Sequence, residues 1–253
     1  MSKTFTIILF LASFSSITAQ QVEFFNGNKF PASPAGGENE VEYLVESQMI
    51  YPPTSLEMKQ SQEVFVVLRV DWTGQIDTIF TDLEKDNLFA KEAIRLVELI
   101  VWEKDEIRKG KRIGEQQIKV TFDPKKYKKA ERRRLLPPVG SEHATVFIKS
   151  QVDTASKVRD FKSVNDFVTD NIRYPALALQ QLISGTVKVV FVIEKNGVAS
   201  NFKITKPLAG GCNEETIRLL KKIIWKPGMK AGEPVRTLSK YTLTFVHPGN
   251  TYR

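Results

Sequence analysis

The sequence is poor in the residues that build disulfide frameworks, metal centres and catalytic sites. Its 253 residues include one cysteine and two histidines. Cys212 has no partner for an intrachain disulfide, and His143 and His247 lie far apart without neighbouring ligands. The sequence also lacks the Gly-x-Ser-x-Gly, Walker and His-Glu-x-x-His motifs. We therefore predict that the protein is not an enzyme, binds no metal or cofactor, and keeps Cys212 as a half-buried structural residue.

Long hydrophobic runs are also scarce, and the one that exists lies at the N-terminus. An apolar run from Phe5 to Phe14 follows Lys3 and precedes small residues that end at Ala19. The run is shorter than the roughly 20 residues that a membrane-spanning helix needs. The pattern is typical of a signal peptide cleaved after Ala19, which predicts export. An uncleaved N-terminal membrane anchor stays open as the alternative.

Acidic residues are in deficit, since 37 Lys and Arg oppose 29 Asp and Glu, giving a net charge of +8. A basic balance permits contact with nucleic acid, anionic lipid or acidic glycans, and export removes nucleic acid as the natural target. Residues 125–134 are densely basic and contain a single acidic residue, Glu131. We predict a solvated linker there, with a weak electrostatic contact to anionic surfaces as the functional alternative.

One small module occurs twice along the chain. Seven residues of the first copy recur in the second copy at a constant interval of 123 positions. They are Tyr51, Pro52, Gly74, Glu92, Arg95, Trp102 and Phe122, which recur as Tyr174, Pro175, Gly197, Glu215, Arg218, Trp225 and Phe245. Any functional account must therefore explain a duplicated module.

The second copy has the clearer secondary-structure pattern. Apolar alternation predicts a central strand over 186–194, and Asn196-Gly197 predicts a tight hairpin into a second strand. A helix over 213–225, with Asn213 as its N-cap, precedes a last strand over 240–245. If the helix makes a right-handed crossover, the strand order is second, first, third, which leaves the third strand on an open edge.

These patterns predict an α+β fold with two tandem two-layer domains, each a three-stranded antiparallel sheet backed by helices. Gly, Pro and Asn dominate the residues before the first module, so they are predicted to be a linker. The predicted organisation is a signal peptide over 1–19, a linker over 20–39, a first and divergent domain over 40–124, a basic linker over 125–145 and a second domain over 146–253.

The second module resembles the C-terminal domain of TonB, the energy-transducing protein of Gram-negative envelopes. The resemblance rests on Tyr174-Pro175, the Asn-Gly turn, Glu215-x-x-Arg218, Trp225-Lys226-Pro227-Gly228 and a final strand that ends at Phe245. It covers about 167–248, and 44–124 more weakly. The first copy departs from the pattern, because Glu103-Lys104-Asp105 follows Trp102. That departure puts its partner specificity in doubt.

The resemblance implies a binding mode, in which an extended segment of an outer-membrane receptor, the TonB box, adds as a strand to the open sheet edge. The alternative is that Lys240 and neighbouring chain block this edge. The predicted docking strand is Lys240, Tyr241, Thr242, Leu243, Thr244 and Phe245, with Lys240, Thr242 and Thr244 accessible. We interpret Tyr174, Pro175, Gly197, Trp225, Pro227 and Gly228 as fold determinants, and Glu215 with Arg218 as a structural pair on the helix surface.

The sequence thus predicts an exported, periplasmic, TonB-like protein that binds outer-membrane TonB-dependent receptors. One alternative is a true energy transducer, anchored in the inner membrane by an uncleaved N-terminus. Such a protein needs a long arm, whereas the 20 or so residues before the first module reach at most about 70 Å. A second alternative is a structural or dimerising envelope protein, in which the open edge pairs with a second copy.

Overall fold

Two hydrophobic cores organise the part of the chain that the computed structural model describes. One core gathers side chains from Val22 to Tyr127, and the other gathers side chains from Val158 to Phe245. We call residues 21–140 the first unit and residues 144–250 the second unit. The predicted signal peptide and His143 lie outside the described residues. The described ranges are 21–25, 32–105, 115–140 and 144–250.

The first unit is an antiparallel sheet of four strands with helices against it. Alternating residues of its central strand, Val64, Val66 and Leu68, are fully buried, as period-two patterning requires of a strand with one dry face. The strand order is β1-β4-β2-β3. The elements are β1 Val22–Phe25, α1 Glu38–Gln48, α2 Pro53–Glu57, β2 Gln62–Val70, β3 Ile76–Thr81, α3 Leu88–Glu98, β4 Glu115–Phe122 and α4 Pro124–Glu131.

The prediction that residues 20–39 form only a linker is wrong at β1. Residues Val22–Phe25 pair antiparallel with Gln117–Val120 of β4, and Val22 is only 5% exposed. Ala32 and Ala35 are also buried. Composition cannot reveal this strand, because its hydrogen-bonding partner lies some hundred residues further along the chain. The first sheet therefore has four strands instead of the predicted three.

The basic run is also more than a solvated linker. Asp123 accepts hydrogen bonds from the backbone N–H groups of Lys125 and Lys126, which caps α4. Tyr127 is buried on the next turn, with its ring 5.2 Å from that of Tyr51. Lys125, Lys128 and Lys129 are exposed, while Pro124, Tyr127 and Ala130 are buried and fix the helix to the first unit. The predicted linker over 125–145 therefore begins with a packed helix.

The second unit repeats the helix and strand order, with additional short strands around its last strand. Strands β8, β7 and β11 lie side by side in the order that chain direction predicts, and the α+β fold is confirmed. Short 3-10 turns span Lys149–Gln151 and Pro248–Asn250. The elements are β5 Val146–Phe147, β6 Lys157–Val158, α5 Val164–Asn171, α6 Ala176–Gln180, β7 Gly185–Ile193, β8 Ala199–Lys206, α7 Cys212–Lys222, β9 Trp225–Lys226, β10 Gly228–Lys230 and β11 Glu233–Phe245.

Three boundaries differ from those predicted. Strand β11 begins at Glu233 instead of Lys240. Helix α7 begins at Cys212 after Gly211, whose φ of 88° is left-handed, so Asn213 is not the N-cap. Trp225 lies beyond the helix in β9, where it pairs with Val158 of β6. The start of β11 and the position of Trp225 follow from pairing with distant strands, whereas the left-handed Gly211 sets the start of α7 locally.

Buried polar contacts join the two units. Arg236 is 1% exposed, and its guanidinium donates to Glu194 at 2.7 Å and to the Leu99 carbonyl at 2.7 Å. The Asn201 side chain donates to the same Leu99 carbonyl at 3.2 Å and accepts from the Val101 N–H at 2.8 Å. Because buried charges are costly unless they are paired, this network fixes the end of α3 to the sheet of the second unit.

Candidate functional site: the outer edge of the last strand

A carboxylate and guanidinium pair on α7 holds the loop that leads into Tyr174 and Pro175. Glu215 accepts from the Arg173 N–H at 2.7 Å and from the Arg218 Nε at 2.6 Å. Arg218 also donates to the Asn171 carbonyl at 2.9 Å. Glu215 is 8% exposed, so the structural role that we predicted is carried out beneath the surface and not on an open helix face.

The first unit contains the same clamp. Glu92 accepts from the Ile50 N–H at 2.7 Å and from the Arg95 Nε at 2.8 Å, while Arg95 donates to the Gln48 carbonyl at 2.6 Å. Each of these residues lies 123 positions before its counterpart in the second unit. The interval found in the sequence therefore corresponds to the same set of atomic contacts in both units.

The clamp changes the acidity of Glu215. Burial alone would raise the pKa of this carboxyl group, but the hydrogen bonds from Arg218 and from the Arg173 N–H, together with the charge of Arg218, outweigh burial. The pKa of Glu215 is consequently lowered. The ionised carboxylate is the form that holds the loop.

The predicted fold determinants pack around the sheet, where Trp225 is buried and Tyr174 and Pro175 are half-buried. Tyr174 packs edge-on against Phe245, with the ring centroids 5.6 Å apart, and its hydroxyl donates to the Ile183 carbonyl. Pro175 precedes the first residue of α6. Trp225 is buried, with its ring 5.5 Å from that of Phe191. These residues position β7 and β11 without lying on the outer edge.

Two of the predicted fold determinants are glycines that lie where another part of the chain approaches closely. Gly197 has a φ of 85°, and a Cβ there would lie 2.1 Å from the Trp225 carbonyl oxygen. A Cβ on Gly228 would lie 2.4 Å from Cγ2 of Thr237. Pro227 separates β9 from β10. The turn after β7 and the hairpin before β11 therefore both require the small residue that the sequence supplies.

The predicted docking strand has the two faces that we expected. Residues Thr237–Phe245 of β11 pair antiparallel with Gly185–Ile193 of β7. Leu243 and Phe245 are buried and Tyr241 is half-buried, whereas Lys240, Thr242 and Thr244 are exposed. The strand is thus anchored through alternate apolar side chains and presents alternate polar ones.

The outer edge of β11 is covered at its start and bare at its end. Strand β10 pairs with residues 233–235, and β5 pairs in parallel with Arg236 and Thr237. Within the described ranges, no strand pairs with the outer edge of residues 238–245. A groove of about 830 Å³ lies where the cover stops, between Leu238, Lys240 and the segment from Ile148 to Ser156. We call residues 238–245 the open edge.

The opposite edge of the second sheet is shielded by the first unit. Gly36 lies so close to β8 that a Cβ on it would approach the Phe202 carbonyl oxygen to 1.9 Å. Helix α1 follows, and its Glu40 forms an ion pair of 3.0 Å with Lys221 of α7. On the other side of the sheet, β10 pairs only with residues 233–235, so residues 238–245 of β11 form an accessible edge there.

The first unit has a strand on the corresponding edge. Residues Gln117–Val120, which β1 covers, lie 123 positions before Lys240–Leu243 of the open edge. The Thr121 N–H donates to the Gln21 carbonyl at 2.8 Å, so the N–H groups of 117, 119 and 121 point toward β1. By the same alternation, the N–H groups of Lys240, Thr242 and Thr244 point outward.

Sequence reasoning did not find three parts of this site. It missed β1, the groove beside Ile148, and Arg236, which fixes the start of β11 through Glu194. The only available signal for β1 was the short apolar alternation of Val22, Glu23 and Phe24 before Asn26-Gly27. The charge and position of Arg236 gave no signal, because its partners are 42 and 137 residues away in the chain.

Comparison with known protein families identifies the second unit. Residues 170–246 match the family described as the Gram-negative bacterial TonB protein C-terminal. The second unit belongs to the TonB C-terminal domain family. The matched segment runs from the end of α5 to the end of β11, so it contains both the clamp and the open edge. No curated protein matches the chain.

Membership of the TonB C-terminal domain family supports a TonB-like role in TonB-dependent transport, in contact with outer-membrane receptors. The family is a non-enzymatic, transport-associated domain of the cell envelope. None of the helices that the structure describes is long and apolar enough to span a membrane. Among the described residues, no group of three or more His, Cys, Asp and Glu side chains is placed to hold a metal ion.

Cys212 is buried at the first residue of α7, where we had predicted a half-buried position. Burial, together with the neighbouring Glu214 carboxylate, raises the pKa of its thiol. Because the thiolate is the reactive form, this environment makes Cys212 less reactive than an ordinary cysteine.

Proposed function

We propose that this chain is an exported, periplasmic TonB-like protein whose open edge binds extended peptide segments of outer-membrane transporters. The bound segment adds to the sheet next to β11, and the protein acts in TonB-dependent transport. Main-chain N–H and C=O groups of an unpaired strand supply the affinity, and the alternate side chains supply selectivity. The family match to residues 170–246 supports the transport context.

The occupied edge of the first unit carries this proposal. A four-residue strand of the chain already lies against Gln117–Val120, at the positions that correspond to Lys240–Leu243. Val22 is buried on the inner face of that strand, and Glu23 forms an ion pair of 2.9 Å with Lys119 on its outer face. A module with the same internal clamp thus accepts an added strand at this place, and in the second unit no strand of the described ranges occupies it.

Roles follow from the two faces of β11. Tyr241, Leu243 and Phe245 hold the strand against the core, and the outward N–H groups of Lys240, Thr242 and Thr244 donate to the bound segment. The half-buried Tyr241 also donates to Asn165 of α5 at 2.9 Å, which ties the middle of the open edge to that helix. Because the open edge is held on its inner side, it is already extended before a ligand arrives.

Photocrosslinking in cells tests the proposal directly. A photoreactive residue at Thr242 or Thr244 should capture an outer-membrane transporter, whereas the same residue at the exposed Lys222 of α7 should not. Capture of only a second copy of this chain from Thr242 would instead support the dimerising alternative. Equal capture from all three positions would reject the edge as the binding site.

A substitution pair at Thr242 separates main-chain from side-chain binding. Thr242→Pro removes an outward N–H group and leaves the hydrogen bonds to β7 in place, so capture should be lost while thermal stability changes little. Thr242→Val keeps the N–H group and the β-branched shape, so capture should persist. Loss of capture in the valine variant would show that the hydroxyl, and not strand addition, mediates binding.

The proposed location can be tested with the native protein. We expect the mature chain to begin at Gln20 and to fractionate with the periplasm. A chain that begins at Met1 in the inner-membrane fraction would favour an anchored energy transducer over an exported periplasmic protein. Intact-mass measurement of the protein from both fractions distinguishes these results.

A further inference from the structure

The solvent-facing side of the second sheet is basic next to the open edge. Thr242 of β11 lies opposite Lys188 of β7, which lies opposite Lys206 of β8. Lys240 lies two residues from Thr242 on the same face. Lys188 and Lys240 are thus neighbours of this threonine, Lys206 lies one strand further away, and all three lysines are exposed. The neighbouring Lys203 differs from them, because it forms an ion pair of 3.0 Å with Glu103 of the first unit.

These lysines have no carboxylate partner among the described residues. The structure gives no ion pair for Lys188, Lys206 or Lys240 in the described ranges. Two rows of paired residues cross β11, β7 and β8 on this face, and neither contains an acidic residue. They are Thr242, Lys188 and Lys206, and Lys240, Val190 and Lys203. Like charges on neighbouring strands repel, so a ligand carboxylate would relieve this repulsion as well as gain attraction.

The first unit supplies a template for such a ligand. At the position that corresponds to Thr242, Lys119 is bound by Glu23 of β1 at 2.9 Å and by Glu63 of β2 at 3.4 Å. The second unit has lost the lysine at that position and gained lysines on two sides of it, at Lys188 and Lys240. The positive charge is therefore no longer directly opposite the residue of an added strand, but lies next to that position.

We propose that the segment bound by the open edge carries an Asp or Glu at the residue opposite Thr242, with apolar residues on either side of it. The carboxylate lies on the solvent face, diagonal to Lys240 and separated from Lys188 by Thr242, so the long side chains of both lysines extend toward it. The two apolar side chains face inward beside Leu243 and Tyr241. This inference rests on the proposed strand addition and adds the chemistry of the partner. Val22, Glu23 and Phe24 of β1 have this pattern on the equivalent strand.

Peptide binding to the full chain tests the inference. The first probe is a labelled peptide with the sequence of residues 20–27, and the second is the same peptide with its glutamate replaced by lysine. In fluorescence anisotropy at low salt, the glutamate peptide should bind about tenfold more tightly than the lysine peptide. The preference should shrink as the salt concentration rises, because the lysines are exposed.

Variants of the protein locate the effect. Lys188→Glu combined with Lys240→Glu should reverse the preference between the two peptides, whereas Lys222→Glu on α7 should leave it unchanged. Thr242→Pro should abolish binding of both peptides, which assigns the binding to the open edge and not to displacement of β1.

The outcomes separate this inference from the proposed function. Equal binding of the two peptides, abolished by Thr242→Pro, would overturn the acidic preference and leave strand addition standing. Absence of binding by both peptides would overturn strand addition and the acidic preference together. A preference that survives Lys188→Glu with Lys240→Glu would also overturn the inference, since other groups would then recognise the carboxylate.

Discussion

The two units use the same contacts to hold their helices and differ in what covers the last strand. Glu92 with Arg95, and Glu215 with Arg218, clamp equivalent loops with nearly equal distances. Yet β1 covers β4, while no strand of the described residues pairs with the outer edge of the corresponding residues of β11. The comparison teaches that the clamp maintains the fold and that the edge is where the two copies have diverged in use.

The largest expected effect concerns the start of β11, which holds the second unit against the first. Arg236→Leu should destabilise the protein by about 3–5 kcal/mol, because it leaves the buried Glu194 carboxylate without its partner. The double variant Arg236→Leu with Glu194→Leu should recover much of that loss. Urea unfolding of the three proteins measures both changes, and equal stability of the single and double variants would contradict the explanation.

The glycine turns allow a matched test of the two units. Gly197→Ala should cost about 2–3 kcal/mol, since its Cβ would lie 2.1 Å from a carbonyl oxygen and its φ is positive. Gly74→Ala should cost less, because the corresponding distance is 2.6 Å. Gly232→Ala is the control, since its φ of 81° is positive but no atom lies within 4 Å of the Cβ. Thermal melting should show the largest loss of stability for Gly197→Ala, a smaller loss for Gly74→Ala and the smallest for Gly232→Ala. An equal loss for Gly232→Ala would show that the close approach does not contribute.

Opening the first unit would make the two edges alike. Val22→Asp places a charge in a buried position, so it should detach β1 and expose the outer edge of β4. The expected loss of stability is about 2 kcal/mol. Calorimetric titration with the peptide of residues 20–27 should then give two bound peptides per chain instead of one. Phe25→Thr is the control, because Phe25 is 38% exposed and should not hold the strand. An unchanged stoichiometry would mean that the β4 edge is not a latent binding site.

The smallest expected effect is a dependence on pH. Glu215 has a lowered pKa in the folded state, so its stabilising contribution is complete above the unfolded value of about 4.5 and is lost as the pH falls below it. Glu215→Gln should cost about 1 kcal/mol at pH 7 and almost nothing at the lowest pH. Hydrogen exchange of the β7 amides in the unmodified protein and in Glu215→Gln, at pH 7 and below pH 4, measures the stability cost at each pH. An equal cost at the two pH values would contradict the prediction.

Local patterns predicted the parts of the fold that are encoded locally. Alternation along 186–194, the Asn196-Gly197 turn and the periodicity of α7 gave the central strand, its hairpin and the helix. Chain direction then gave the order of β8, β7 and β11. Predictions failed for β1, α4 and the start of β11, where pairing with distant residues determines the structure. The accessible face at Lys240, Thr242 and Thr244 was predictable, whereas the lysines of the neighbouring strands became part of the site only through register.

Strand β1 also bears on how a chain with two similar modules avoids misassembly. Strands β4 and β11 are equivalent, so two bare edges would offer each other a partner, within one molecule or between molecules. Strand β1 occupies the outer edge of β4, so among the described residues only the corresponding edge of β11 is left without a strand. Repeated domains are prone to mispairing, and the pairing of β1 with β4 leaves no second bare edge to which β11 could join in this way.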